Sequence, residues 1–456
     1  PPTSMEPKPA PTTLSGIIRH LGPGLIITAT IVGSGELIMT PKLAGEAGFS
    51  LLWFIIFGCL IKVFIQVELG RYAITHGKTT LAAMDSVPGP RFQFPWKTEN
   101  SVITVQASWM VWFWVVMYIG SSLQIAGMMD GLASLVFQEP GTGHHLMILG
   151  VAAVTIILLL SGRYRLVERV CIGMVLLFTI FTIVALVALQ FTEFKINSSD
   201  IAEGFKFGND SPEKFTTAFA AFAIIGVGTS ELIYYPYWCL EKGYAKFTGK
   251  NDNTLGWLDR ARGWLNVMKW DAWISCTIYT AATCAFFLLG AATLHRTGQE
   301  VGDIGMIATL SSMYEGAFGD TGVLLFKIGC FCVLFSTVFG ATAANSRLFA
   351  DCIPVFKIRK FDSEEDRAKW VKIGVIVLVG FSFMISLIFG EPVTLIIYGS
   401  IAQGALLPFL AIAAAYFLFM RIDKRLHPGM VWKFFLMLSV LAMVMVGCYQ
   451  LYDILK

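Results

Sequence analysis

Charge is scarce in this chain: Asp, Glu, Lys and Arg make up 14% of its 456 residues, against about a quarter in an ordinary globular protein. The 34 basic and 31 acidic side chains leave a net charge of only +3, which provides no surface for a polyanion and excludes a nucleic-acid-binding protein. Disordered and fibrous chains are excluded as well, because 55% of the residues are hydrophobic and the mean hydropathy is +0.67. Paired cysteines are missing. The nine cysteines form no CxxC and lie in or at the ends of apolar runs, so small buried hydrophobes are expected rather than a disulfide framework. HExxH, CxxC, GxSxG and P-loop patterns do not occur in a suitable context, and the loops are too short to hold nucleotide-binding domains. No enzyme activity and no cofactor are therefore expected.

What the chain does have is long apolar runs. Eleven stretches can cross about 30 Å of hydrocarbon, near 22–42, 48–72, 105–137, 145–162, 167–192, 215–240, 269–295, 321–347, 370–390, 392–420 and 429–453. They predict an all-α polytopic membrane protein. Its expected divisions are a disordered cytoplasmic tail (1–20), a first repeat (21–192), an extracellular loop (193–213), a second repeat (214–420) and a last helix (421–456). Outside the spans, Lys and Arg concentrate on one side; only Lys42, Lys195, Lys206, Lys214, Arg296 and Lys456 fall on the other. That bias predicts a cytoplasmic N-terminus, an external C-terminus and residence in a bacterial inner membrane. The basic, aromatic segment 239–267 reads as an amphipathic link lying on the cytoplasmic face.

An internal repeat marks a candidate site. Gly33-Ser34-Gly35-Glu36-Leu37-Ile38-Met39-Thr40-Pro41 in the first span is echoed by Gly228-Thr229-Ser230-Glu231-Leu232-Ile233-Tyr234-Tyr235-Pro236 in the sixth. The first unit holds five spans, so the second unit starts from the opposite face of the membrane. This is the inverted five-plus-five arrangement of many secondary transporters, whose site lies at mid-membrane where the first helix of each half is broken. Small residues weaken a helix, and a carboxylate at mid-membrane is costly unless it meets a cavity, a partner or a proton. Both features occur together, twice. A kink or close-packing contact with a hydrogen-bonded Glu explains either copy taken alone.

The chain at this point resembles the Nramp family of divalent-metal transporters. The likeness runs through LGPGLIITATI, LAGEAGFSLLW, THGKTTLAAM, GRYRLVERV, STVFGATAANSRLFADCI and LLPF, in that order. The resemblance implies broken helices 1 and 6, an appended eleventh helix and alternating access around a central site. The family's ligand motifs are replaced. Its Asp-Pro-Gly-Asn falls on Gly33 to Glu36, and its Met-Pro-His on Ser230, Glu231 and Leu232. The family's helix 3 acid falls on Gln124, and its helix 10 glutamine on Ser400, with Gln403 one turn further.

The candidate substrate-binding residues are Gly33, Ser34, Gly35, Glu36, Gly226, Gly228, Thr229, Ser230, Glu231, Tyr234 and Tyr235, with Gln124, Ser400 and Gln403 as secondary members. Removing a sulfur and an imidazole ligand while adding two carboxylates and aromatic rings (Tyr234, Tyr235, Tyr237, Trp238) favours a small polar organic solute such as glucose. The rings also suit ordinary helix packing. The alternative is a hard divalent cation, Mg²⁺ or Mn²⁺, held by Glu36 and Glu231 with backbone carbonyls and water. Either carboxylate is a candidate for proton coupling, making the protein a symporter. A sensor that binds without transport is the third reading. Elsewhere, Glu68 and Arg71 are spaced as a helical ion pair; Lys62 either snorkels or neutralises Asp130; Asp271 is read as capping its own helix end; and His144-His145 fall in a short external loop.

Overall fold

A computed structural model describes residues 6–98, 101–137, 139–161, 164–206, 212–303 and 305–455. Pro1 to Met5, at the head of the expected tail, and Lys456 lie outside the described residues, as do 207–211 of the expected external loop. The chain is helical almost throughout. Helices α1 (Leu14–His20) and α2 (Pro23–Ile31) meet at 55°, and a π-helical turn, Gly35–Met39, leads into α3 (Thr40–Ala47). After α4 (Leu52–His76) and the short α5 (Thr80–Asp85) comes an antiparallel hairpin, β1 (Arg91–Thr98) and β2 (Ser101–Ser108), with Arg91 opposite Ser108. Then follow α6 (Trp109–Ser134), α7 (Thr142–Leu160), α8 (Tyr164–Ala188) and α9 (Ser198–Glu203). The second half runs through α10 (Pro212–Ile224), α11 (Thr229–Lys242), α12 (Tyr244–Thr248), α13 (Leu255–Gly290), α14 (Met306–Phe318) and α15 (Asp320–Val355). It closes with α16 (Glu364–Phe389), α17 (Pro392–Gly404), α18 (Leu407–Tyr416) and α19 (Met430–Leu455).

Nine helices among the described residues are long and apolar enough to cross a membrane, ten if the bent pair α1–α2 counts as one. The expected count of eleven is not reached on this measure. The first span is cut into short pieces by its break, and only Val175–Phe191 of the fifth registers, as a shorter apolar helix. Lipid-facing character is plain on α7, α16 and α19, where Ile157, Ile388 and Met445 are exposed. Between them the interior is continuous and apolar, and helices 1 and 6 are interrupted where the repeat predicts: after Ile31 and again between Ile224 and Thr229.

Several boundaries differ from the sequence reading. The third span begins at Trp109, because 105–108 pair as the end of β2. Helix α13 starts at Leu255, well ahead of the expected 269, since Thr254 caps it by accepting from the Trp257 amide at 3.1 Å. The segment 239–267 is thus not a surface-lying link. It folds into the ends of α11, α12 and the first turns of α13, with Trp257 and Trp264 buried. The chain ahead of α1 packs against it: the Lys8 amide donates to the Phe247 carbonyl at 2.9 Å, and Trp264 Nε1 donates to the Lys8 carbonyl at 2.9 Å. Span 10 is also divided, between α17 and α18, a break the sequence reading did not foresee. No disulfide forms among the described cysteines.

Candidate substrate site at the broken helices

The two breaks differ in their local winding. After α2 the Gly33 amide turns back to the Ile31 carbonyl at 2.6 Å, and residues 35–39 wind as a π-helix closed by Thr40 Oγ1 donating to the Gly35 carbonyl at 3.0 Å. Between α10 and α11 the chain passes through Gly226 at φ +61°, a left-handed conformation that costs a residue with a Cβ about 1–2 kcal/mol. A Cβ there would also meet Cys59 Sγ at 3.1 Å and Tyr279 at 3.3 Å. Gly228 then caps α11, placing Thr229, Ser230 and Glu231 in its first turn.

Glu36 fastens one break to the other. Its Oε1 accepts from the Gly226 amide at 2.9 Å and from Thr283 Oγ1 of α13 at 3.2 Å, all buried. Lys62 of α4 closes the other side of the sixth-helix break, donating through Nζ to the Phe222 carbonyl and, at 2.6 Å, to that of Ile225. These carbonyls end α10 and carry the negative pole of its dipole, so a buried ammonium is well placed there. Lys62 neither snorkels nor meets Asp130. Both sequence expectations for it are replaced by a backbone contact.

Four side chains form a chain of hydrogen bonds across the bundle. Gln124 Nε2 of α6 donates to Ser34 Oγ at 2.7 Å, Gln403 Nε2 of α17 donates to Gln124 Oε1 at 2.5 Å, and Ser230 Oγ donates to Gln403 Oε1 at 2.5 Å. The sixth-helix break, α17, α6 and the first-helix break are thereby linked through neutral groups alone. Beside this chain is a small buried cavity of about 10 Å³, whose walls include Ser34, Gly35, Gln124, Ser230, Glu231 and Tyr234. That volume accommodates about one water molecule.

The other candidates are placed differently. Gly33 packs under Thr337, and Gly35 lies against the Ile224 carbonyl, where a Cβ would come within 2.7 Å. Ser400 bonds within its own helix, to the Ile397 carbonyl at 2.7 Å, so Gln403 is the α17 side chain in the network. Thr229 Oγ1 reaches back to the Ala223 carbonyl at 3.5 Å. Tyr235 turns away and donates to the Met268 carbonyl and to Asp271 Oδ2, each at 3.1 Å. Glu36 is not among the cavity walls, whereas Glu231 is.

Sequence reasoning missed Ser121 and Met128, which line the cavity together with Thr337 of the eighth span. Met117 Sδ also stands 3.8 Å from Ser230 Oγ. A sulfur, absent from the sixth-span motif, thus stands near that break, carried by α6. Its signal was the helical spacing of Met117, Ser121, Gln124 and Met128 along one face of that helix.

Asp271 is a buried carboxylate sixteen residues into α13, not an end-capping group of its own helix. It accepts from the amides of Gly22 at 2.8 Å and Gly24 at 2.5 Å, so it caps α2 from outside. The expected Glu68–Arg71 pair is present and fully buried: Arg71 Nε and Nη2 reach the two carboxylate oxygens at 2.7 and 3.0 Å, and Trp432 Nε1 of α19 joins at 2.8 Å.

The profile of natural resistance-associated macrophage protein-like (Nramp) proteins matches residues 24–453. The chain belongs to the Nramp family. Among solved structures it is similar to a mutant of the Eremococcus coleocola manganese transporter, at 13% identity and a TM-score of 0.67, covering 98% of this chain and 89% of that one. It also resembles Mhp1, a nucleobase-cation-symport-1 family transporter bound to bromovinylhydantoin (13% identity, TM-score 0.52, 99% and 96% covered). MhsT in complex with L-phenylalanine is a third likeness (12% identity, TM-score 0.55, 96% and 99% covered). No curated protein sequence matches. Identities this low establish the broken-helix transporter fold. Together with the family they make this Nramp protein an integral membrane transporter for a small molecule or ion, and not an enzyme.

Proposed function

We propose that this Nramp protein moves a hard divalent cation, Mg²⁺ or Mn²⁺, by alternating access between the two broken helices. The observation that carries the reading is the cavity: about 10 Å³, with Glu231 in its wall and the carbonyl ends of α2 and α10 at Ile31 and Ile224 beside it. In this conformation the space holds about one ion or water, which supports the cation over the sugar favoured from the sequence. Among the described residues no three His, Cys, Asp or Glu side chains group as a metal cluster. One carboxylate with neutral oxygens matches a hard ion that keeps much of its water. The manganese transporters among its structural neighbours support the same class.

The test is purified protein in liposomes, with Mn²⁺, Mg²⁺ and glucose uptake followed in parallel. Cation uptake that falls at least about tenfold in Glu231→Gln is expected. Glucose uptake without cation uptake would overturn the reading, and ligand binding without flux would make the protein a sensor.

A further inference from the structure

Asp130 and His144 form a buried pair that the cavity does not use. Asp130 lies on α6, a short way beyond Met128, and His144 lies in the first turn of α7. They are 1% and 3% exposed, and His144 Nε2 stands 2.6 Å from Asp130 Oδ1. The histidine is therefore not part of an open loop as its sequence position suggested. Its other nitrogen, Nδ1, faces the Phe137 carbonyl oxygen at 3.1 Å. On the far side of the carboxylate, Ser386 Oγ of α16 donates to Oδ2 at 3.2 Å.

The proton count follows from this geometry. Both ring nitrogens face oxygen atoms, and a carbonyl oxygen can only accept. A neutral imidazole has a single N–H. With a neutral ring and an ionised carboxylate, one of the two contacts would lack its hydrogen. Two arrangements satisfy both: an imidazolium donating twice to an ionised Asp130 and the Phe137 carbonyl, or a neutral ring donating from Nδ1 to Phe137 while a protonated Asp130 donates to Nε2. Each holds one proton more than the neutral ring with a free carboxylate.

We infer that Asp130 and His144 together are a proton-binding site that ties α6, α7 and α16 to one another. The exposed residues Glu139 to Thr142 lie just ahead of Gly143 and His144 in the chain, so the site sits close to the surface. Among the described residues, the other charged or titratable groups around it are His145, edge-on to His144 at a ring distance of 6.2 Å, and Asp303. Asp303 is engaged elsewhere: it accepts from the Val393 and Thr394 amides at 2.7 and 3.0 Å, and from Thr394 Oγ1 at 2.7 Å, capping α17. It offers no proton-independent partner for the pair. Loss of the proton leaves a buried carboxylate supported by Ser386 and a ring contact without its hydrogen, so packing at this end loosens as pH rises. Because α6 also carries Ser121, Gln124 and Met128 along the cavity, the proton sets the position of one cavity wall.

The test uses the full chain in detergent, with thermal unfolding followed from about pH 5.5 to 9 for the native protein, Asp130→Asn and His144→Gln. The native protein is expected to melt highest at the acid end and to lose stability through a single-proton transition, the protonated fraction changing about tenfold per pH unit beyond the midpoint. Both substitutions are expected to flatten that transition. A side-chain ¹⁵N spectrum of His144 provides a readout that needs no variant to fold: the ring signals should change over the same pH range. An invariant His144 spectrum, or variant melting profiles parallel to the native one, overturns the inference. Cation uptake at the same pH values separates this site from the substrate reading: no uptake at any pH, beside a titrating melting profile, refutes the cation and leaves the proton site standing.

Discussion

Replacing Asp271 should release the N-terminal half of the broken first helix. Gly22, the N-cap of α2, has no side chain to accept from the first amides, and Asp271 does this from α13 while also taking the Tyr235 hydroxyl. Loss of an N-cap acceptor costs about 1–2 kcal/mol, and a buried Tyr hydroxyl left without its carboxylate partner adds roughly 1 kcal/mol. Asp271→Ala therefore loses about 2–3 kcal/mol of local stability, which raises the opening constant of α2 roughly 30- to 150-fold. Asp271→Asn keeps one acceptor oxygen and should lose about 1 kcal/mol, or roughly fivefold. Hydrogen–deuterium exchange of peptides spanning 22–31 measures this directly, with the α16 and α19 peptides as internal references. The reasoning is refuted if exchange over 22–31 in Asp271→Ala stays within about twofold of the native protein while the references are unchanged.

Lys62→Met should lower stability by about 2 kcal/mol, because the Phe222 and Ile225 carbonyls lose their donor, and Lys62→Arg should restore part of the loss; thermal melting tests both. Gly226→Ala should cost about 2 kcal/mol from its φ of +61° and the contact with Cys59, read as a lowered melting temperature with reduced cation uptake. Glu68→Gln leaves Arg71 buried without its carboxylate and should destabilise by about 3 kcal/mol in chemical denaturation, whereas the double change Glu68→Gln with Arg71→Met should recover much of it. Glu36→Gln should chiefly lower stability, and Glu231→Gln should chiefly lower uptake; a paired measurement of melting and liposome flux in which the two effects are interchanged would refute the assignment.

Much of the fold was legible because membrane helices announce themselves by long apolar runs, and the break positions by the Gly-Ser-Gly-Glu and Gly-Thr-Ser-Glu copies. What escaped were partners distant along the chain. Nothing in the sequence around Asp271 indicates that it caps a helix beginning at Pro23, and a backbone carbonyl such as that of Ile225 leaves no sequence signal for Lys62 to match. The hairpin escaped for a different reason: SVITVQAS runs without a break into the apolar start of α6, so hydropathy merges strand and helix. Gln124 and Gln403 were readable as positions through the family likeness, but not as a hydrogen-bonded pair. The cavity's size depends on how side chains from five helices meet, and no motif encodes that.

The two glutamates show how a sequence repeat diverges in structure. Glu36 and Glu231 hold equivalent places, yet Glu36 sits in a π-helical turn and Glu231 in the first turn of an α-helix. A π turn closes i to i+5 bonds and takes up an extra residue, which rotates the side chains that follow a break. Glu36 accordingly points to Gly226 and Thr283, and its carboxylate joins the two breaks, while Glu231 borders the cavity. On the proposed reading, the one carboxylate offered to a substrate by the cavity wall is that of Glu231, amid the neutral side chains of Ser34, Gln124 and Ser230. One negative charge cannot strip the hydration shell of a small divalent ion, whose remaining ligands must be water or neutral oxygens. On the proposed cation reading, an ion here would be held loosely and partly hydrated, while the contact of Glu36 with the Gly226 amide ties the two breaks together without the ion.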